Sequence, residues 1–380
     1  MLLSTKKSDV LQYKGCNFFK QRLVLSVLSG KSINITEIRS KSEDEPGLKE
    51  FEVSLIRLFD KLTNGTIIEL NETGTSLFFQ PGLLVGGKIQ HDCSLQRGLG
   101  YYLEALFMIG CFCKQPLNVT LQGVTCTNVD PSVDLMKTSM ISTLKKFILD
   151  DEELDLKVTK RGMRPLGGGE VVFKCPIRKQ LRPVQILDNG MVKRIRGTAY
   201  ALRVSPAMAN RMVEKAKGVL LNFIPDVYIS TDHCKGKQSG KSPGFGMHLY
   251  AETTNGVIYS SEQISNLVSQ GEEPSIPEDL GVAAAQRLLY EIYLGGITDS
   301  TSQSLAILNM ALGPKDVSKI VLGPLTEYTI GFLRNLREFF GVTFKIENYE
   351  NEEDQGGTGS KKVLLTCVGI GYTNISKRTI

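Results

Sequence analysis

The sequence predicts an α/β protein: a large domain of repeated βαβ-type units with a smaller α/β domain inserted into it. Three observations carry this. Helix-like and strand-like periodicities alternate almost throughout the 380 residues. An order of strand, helix and paired strands occurs early and recurs late, as a unit of roughly 60–90 residues. Between Gln185 and about Glu278 the texture changes to a basic β-run, a helix, a Gly/Lys/Ser loop and a hairpin. The expected division is therefore 1–184 with 280–380 for the large domain and 185–279 for the insert.

The elements follow in order. Residues 32–39 alternate Ile33 and Ile35 with polar neighbours and read as a strand. Pro46-Gly47 opens an amphipathic helix carrying Phe51, Leu55, Leu58, Phe59 and Leu62, which Asn64-Gly65 closes. Two β-runs, 66–70 and 76–80, form a hairpin. Residues 100–113 read as a nearly buried helix and 117–121 as a strand, and Pro131 starts a helix over 132–149. Strands at 154–161 and 170–175 flank a glycine loop. In the insert, a strand over 194–203, a helix from Ser205-Pro206 to Leu221 and a strand over 227–230 precede a hairpin turning at Asn255-Gly256. Later, a strand over 317–323 leads to a helix over 326–340, and strands 342–347 and 362–368 enclose a polar loop at 348–360.

Composition removes several function classes. Hydrophobic residues are 41% and charged residues 22%, ordinary globular material that excludes wholesale disorder, collagen-like and disulfide-scaffold proteins. The net charge of +5 permits an anionic partner without demanding one. Only three histidines exist (His91, His233 and His248), too few for an imidazole cluster. The eight cysteines contain no CxxC pair, so they are expected to be small reduced hydrophobes in a reducing compartment, with no zinc. No stretch reads as a signal peptide or a membrane span.

The sharpest local signal is the run from Arg161 to Val171, RGMRPLGGGEV, between two strands. Gly167, Gly168 and Gly169 let backbone N–H groups converge on an anion, with Arg161 and Arg164 beside them; a tight loop with surface arginines is the alternative. It is neither a Walker loop nor a dinucleotide fingerprint. This run resembles the signature of the RNA 3′-terminal phosphate cyclase family. Other landmarks fall in the family's order: Gly30, Ile38-Arg39, Pro46-Gly47-Leu48, Gly74-Thr75, Gly123 with Thr125, and Pro131 with Asp134. The phrases DVYISTDH (226–233), GKSPGFG (240–246) and CVGIG (367–371) are similar to the non-cyclase branch found in eukaryotic nucleoli.

The resemblance implies what the site should and should not do. Family cyclases adenylylate a histidine with ATP, pass AMP to an RNA 3′-phosphate and let the 2′-hydroxyl close a cyclic phosphodiester. The position matching that histidine is Tyr328, a phenol of pKa ~10 without an adjacent base. The nucleotide-contacting run matches Ser300–Ser304, putting Gln303 and Ser304 where a carboxylate and its neighbour are expected. A family glutamine becomes Phe107, and an N-terminal acidic glycine run becomes Tyr13-Lys14-Gly15-Cys16-Asn17. No catalytic residue and no cofactor are expected to remain.

Cations are the remaining candidates. Lys20, Arg39 and Lys41 could keep an anion pocket where cyclases hold RNA phosphate. Arg178, Lys179, Arg182, Lys193, Arg194 and Arg196 concentrate near the expected domain junction. Lys235, Lys237 and Lys241 lie in the glycine-rich loop of the insert. Asp316, in the run Lys315–Lys319, is the one acid considered for phosphodiester chemistry, and a single carboxylate is too few for a two-metal centre.

The resulting expectation is a non-catalytic ribosome biogenesis factor for early pre-rRNA processing of the small subunit (18S rRNA maturation). It would work in the nucleolus within the small-subunit processing particle, with a large GTPase and pre-rRNA as partners. A pre-rRNA endonuclease in the same particle, or a residual cyclase, are the alternatives.

Overall fold

A computed structural model describes residues 10–149, 153–266, 273–349 and 359–374. The repeat anticipated in the sequence is present three times. In the first unit, strands Leu11–Lys14 and Ile33–Thr36 are parallel and joined by helix Phe19–Ser29. Helix Glu50–Leu62 follows, then the hairpin Ile67–Leu70 and Leu77–Gln80. The second unit repeats this with parallel strands Gly86–Asp92 and Gln115–Gly123 around helix Leu99–Ile109, then a helix over 133–145 and the hairpin Asp155–Lys160 and Gly169–Cys175. In the third, Gln185–Ile186 is parallel to Val317–Leu322; helix Glu327–Phe340 and the pair Lys345–Tyr349 and Lys362–Val368 complete it. In all three sheets the strands stand in the order first, second, fourth, third. A fixed order with little residue repetition is what a βαβ unit followed by a hairpin dictates once each parallel crossover needs its helix.

The helices form the centre and the sheets the outside. Helices Leu99–Ile109 and Gln303–Leu312 are buried along their whole length. One continuous core joins Leu23, Leu58, Leu103, Leu308, Phe332 and Leu365, residues from all three units.

The insert lies between the first strand and the first helix of the third unit. Its sheet runs Val227–Cys234, Val192–Leu202, Gly244–Thr253, Ile258–Ile264. One face carries Ile195, Ala199, Leu249 and Ala251 against helices Ala207–Leu220 and Pro277–Leu294, a second core separate from the first. Those helices cross so closely that a Cβ on Gly281 would stand 2.4 Å from the Met212 carbonyl oxygen. The boundaries therefore fall differently from 185 and 279. Gln185–Ile186 belongs to the third sheet, and the helix beginning at Pro277 belongs to the smaller core through Leu280, Ala284 and Leu288.

Other expected elements are adjusted at their ends. The helix anticipated over 132–149 starts at a Ser132 cap, widens to a π turn over Met136–Met140 and ends at Lys145. The 100–113 helix ends at Ile109 and continues as a 3-10 turn. Most of the polar loop at 348–360 lies outside the described residues. No helix among the described residues is long and apolar enough to cross a membrane.

Candidate functional site

Tyr328, which the resemblance aligns with the family's reactive histidine, lies in the first turn of helix Glu327–Phe340. Thr326 caps that helix, its Oγ1 accepting from the Thr329 N–H at 3.1 Å. Gln303 reaches over from the neighbouring helix. Its Oε1 accepts from the Thr326 N–H at 3.3 Å and from the Thr329 hydroxyl at 2.9 Å, while its Nε2 donates to the Pro324 carbonyl at 3.1 Å. A helix N-terminus is a ready anion site only while its N–H groups are unclaimed. Here side chains of the protein take two of them, the Thr326 and Thr329 N–H groups.

The Tyr328 hydroxyl donates to Glu104 Oε1 at 2.7 Å. The other Glu104 oxygen pairs with the Lys20 ammonium, which also lies 4.6 Å from the centre of the Tyr101 ring. Gln21 donates to the Tyr328 carbonyl at 3.2 Å and accepts from Asn335 at 2.9 Å. Burial, and then the Glu104 carboxylate, push the Tyr328 phenol well above its usual value, so it holds its proton at neutral pH. A neutral phenol bonded to a carboxylate that already serves a lysine is a structural donor and a poor nucleophile.

The anion pocket anticipated at Lys20, Arg39 and Lys41 is largely self-neutralised. Arg39 makes a two-pronged pair with Glu52, both contacts 2.7 Å, and also donates to the Gly47 carbonyl at 2.9 Å. Arg97, which sequence reasoning missed, stacks over Tyr101 at 4.6 Å and pairs with Asp130. Lys20, Arg39 and Arg97 thus each meet a buried carboxylate. Lys41 is exposed. The remaining altered positions serve packing. Phe107 lies in the core with its ring 4.6 Å from that of Phe173. Tyr13 donates to Glu338 at 2.7 Å beneath the Arg22 guanidinium, and Ser304 is buried without a hydrogen-bond partner among the described residues.

The glycine loop closes the seam between the two domains. Gly167 spends its N–H on the Met163 carbonyl at 2.8 Å and its carbonyl on the Lys241 N–H at 2.9 Å. The Ser242 hydroxyl accepts from the Leu166 N–H at 3.0 Å. Gly240 has φ +61°, and a Cβ there would stand 2.6 Å from the Arg161 carbonyl oxygen and 2.7 Å from that of Gly167. Gly168 faces the same turn, and Gly169 begins the strand paired with Gly123. Arg161 is 9% exposed and joins Asp134 of the large domain to Asp232 of the small one, at 3.0 and 2.8 Å, with its guanidinium 4.8 Å from the Tyr200 ring centre. Arg164 donates to the Gln96 carbonyl. Cys126 and Met163 meet Tyr200, Leu202, Cys234 and Ile264 in a small hydrophobic cluster along this seam.

The junction cations divide. Lys193 and Arg194 both pair with Glu252, at 2.6 Å each, and Arg196 pairs with Asp226 at 2.8 Å. Arg182 donates to the Lys146 carbonyl at 2.6 Å and Arg178 to the Ile177 carbonyl at 3.0 Å. Lys179, Lys235 and Lys241 are exposed; the side chain of Lys237 lies outside the described residues. Asp316 is exposed and accepts from the Val317 N–H at 2.7 Å, and among the described residues no group of three His, Cys, Asp or Glu is placed to hold a metal.

The family model for RNA 3′-terminal phosphate cyclase matches residues 11–346. A probable RNA 3′-terminal phosphate cyclase-like protein of Drosophila melanogaster is 58% identical over 379 residues, 99% of each chain. The human RNA 3′-terminal phosphate cyclase-like protein is 57% identical over 368 residues, 97% of each chain. The rRNA processing protein rcl1 of Schizosaccharomyces pombe is 42% identical over 370 residues, 97% of this chain and 98% of that one. Three units of one strand order, a signature loop at the seam and full-length likeness to these relatives lead to one assignment: the chain belongs to the RNA 3′-terminal phosphate cyclase family.

Proposed function

We propose that the chain is a non-catalytic factor in pre-rRNA processing for the small ribosomal subunit, acting in the nucleolus alongside pre-rRNA and a large GTPase. The observation that carries the non-catalytic part is the Tyr328–Glu104–Lys20 set, which fills the reactive position with a proton-holding phenol and uses up the nearest cation. The rRNA-processing part rests on likeness to a relative that bears that name.

Two assays test the reading. Purified protein is incubated with labelled ATP and with RNA ending in a 3′-phosphate, as wild type and as Tyr328→His. Neither is expected to form a covalent adenylate or a cyclic end, because Gln303 and Thr326 still occupy the helix N-terminus in the variant. A protein–AMP adduct on wild type, or cyclised ends with the single variant, refutes the non-catalytic claim. In cells depleted of the protein, re-supplied wild type and Tyr328→Phe are both expected to restore small-subunit rRNA; normal rRNA after depletion refutes the processing role.

A further inference from the structure

One face of the small sheet is covered by its own helices; on the other, Tyr200, His248 and Ser260 are buried against the large domain, and the end carrying Arg196 and Tyr228 is open. Ile195, Ile229, Leu249 and Ala251 point into the small core, so alternation sends Arg194, Arg196, Tyr228 and Tyr250 to the opposite face. Strand pairing sets Tyr228 beside Arg196 and Arg196 beside Tyr250, one row across three strands. Tyr228 is 64% exposed. Tyr250 is half-buried, its ring stacked on that of His248 at 5.8 Å and 25°. Arg196, between the rings, is held by two contacts to Asp226, at 2.8 and 3.0 Å.

Past Tyr250 the sheet meets the large domain across a groove of about 500 Å³. Lys145 and Arg182 line its far wall beside Lys146, whose ammonium turns inward to the Ile297 carbonyl, and Tyr250 and Glu252 line its near wall. Glu252 is shared by two cations, Lys193 and Arg194. Among the described residues Lys145, Arg182, Lys193, Arg194 and Arg196 stand here against the carboxylates Glu252, Asp226 and the Asp188 bonded to Asn255. None of these residues belongs to the Tyr328 site.

We propose that this row and groove bind single-stranded RNA, with bases stacking on Tyr228 and Tyr250 and phosphates meeting the surrounding cations. The open end of a sheet face, with flat aromatic rings set among arginines, suits unpaired bases, which offer a π-face and a linking phosphate together. A duplex keeps its bases stacked inside and offers the tyrosines nothing. An acidic peptide would use the cations and leave both rings idle. The inference goes beyond the function proposed above and stands whether or not the Tyr328 site is inert.

The test is fluorescence anisotropy of the full-length protein with a labelled oligouridylate of about 12 nucleotides, within the span such platforms cover. The same length of RNA as a duplex and a polyglutamate peptide serve as competitors. Both tyrosines are partly or fully exposed, so Tyr228→Ala and Tyr250→Ala leave the fold in place, checked by circular dichroism; Tyr→Phe at each position keeps the ring. Expected are tighter binding of the single strand than of the duplex, about fivefold or more weakening with each alanine, and near-wild-type binding with each phenylalanine. Ultraviolet cross-linking on wild type should place uridine on peptides carrying Tyr228 or Tyr250. Unchanged binding by the double alanine variant, cross-links confined to other surfaces, or polyglutamate competing as well as the single strand overturns the proposal.

Discussion

Replacing Arg161 by methionine tests how the two domains are held together. The guanidinium gives two hydrogen bonds to Asp134 and one to Asp232. Charge-assisted bonds contribute about 1.5–3 kcal/mol each, but they do not add simply. Asp232 has a side chain 42% exposed and rehydrates once freed, so its bond counts least. Asp134 is 15% exposed and stays in the seam as an unpaired carboxylate. Removing one partner of such a buried pair costs about 3–5 kcal/mol. Burial alone would raise the Asp134 carboxyl, and the Arg161 charge and hydrogen bonds outweigh it, holding it below its usual value. A depressed acid gives stability that is present above its unfolded pKa and lost as pH falls through the folded one. The gap between wild type and Arg161→Met should therefore be widest near neutral pH and close toward strong acid.

Urea unfolding followed by circular dichroism at several pH values reads both effects. The neutral double variant, Arg161→Met with Asp134→Asn, should recover about 1–3 kcal/mol relative to the sum of the single changes, because it no longer leaves a charge behind. A loss under about 1 kcal/mol at neutral pH, or simple additivity in the double variant, would show that the seam rests on its glycine contacts and hydrophobic cluster instead.

Three further outcomes follow from the same geometry. Gly281→Ala should destabilise the protein by about 1–3 kcal/mol, since its Cβ meets backbone of a crossing helix and cannot be accommodated by a rotamer change; an unchanged urea midpoint contradicts the close crossing. Burial lowers His248 to about 4, against an unfolded value near 6.5, so its contribution is complete above 6.5 and lost as pH falls toward 4. His248→Gln should flatten the stability profile in that window, and identical profiles would refute the assignment. Asp316→Ala should leave pre-rRNA cleavage within a few-fold of wild type in depleted cells; cleavage lost with particle association intact would favour the nuclease reading.

Much of the fold could be read from periodicity. The strand expected over 362–368 and the helix expected over 326–340 are matched to within one residue by Lys362–Val368 and Glu327–Phe340, because turn residues and cap chemistry bracket them. Helix Pro277–Leu294 was not anticipated, as its Gly281 and Ala283–Ala285 pack by close approach and give no wide apolar stripe. Helix Gln303–Leu312 is buried on every side, which erases the amphipathic signal. At the site, the resemblance alone singles out Tyr328. It does not give the partners, because Glu104, Glu52 and Asp130 lie in separate elements that only the fold brings to Lys20, Arg39 and Arg97.

The same distinction accounts for a signature loop beside a lost reactive position. Read along the chain, RGMRPLGGGEV offers glycines and arginines in the pattern of a phosphate loop, and local sequence cannot say which groups those arginines meet. In three dimensions Arg161 faces two carboxylates from different domains, and Gly167 exchanges hydrogen bonds with Met163 and Lys241. Those demands are steric and electrostatic conditions on docking the small domain, and they hold whether or not a nucleotide is activated at Tyr328. A chain with a phenol at this position therefore keeps every physical reason to retain the loop. The helix N-terminus carries no such demand, and there Gln303 and Thr326 take the Thr326 and Thr329 N–H groups that could otherwise have met a phosphate.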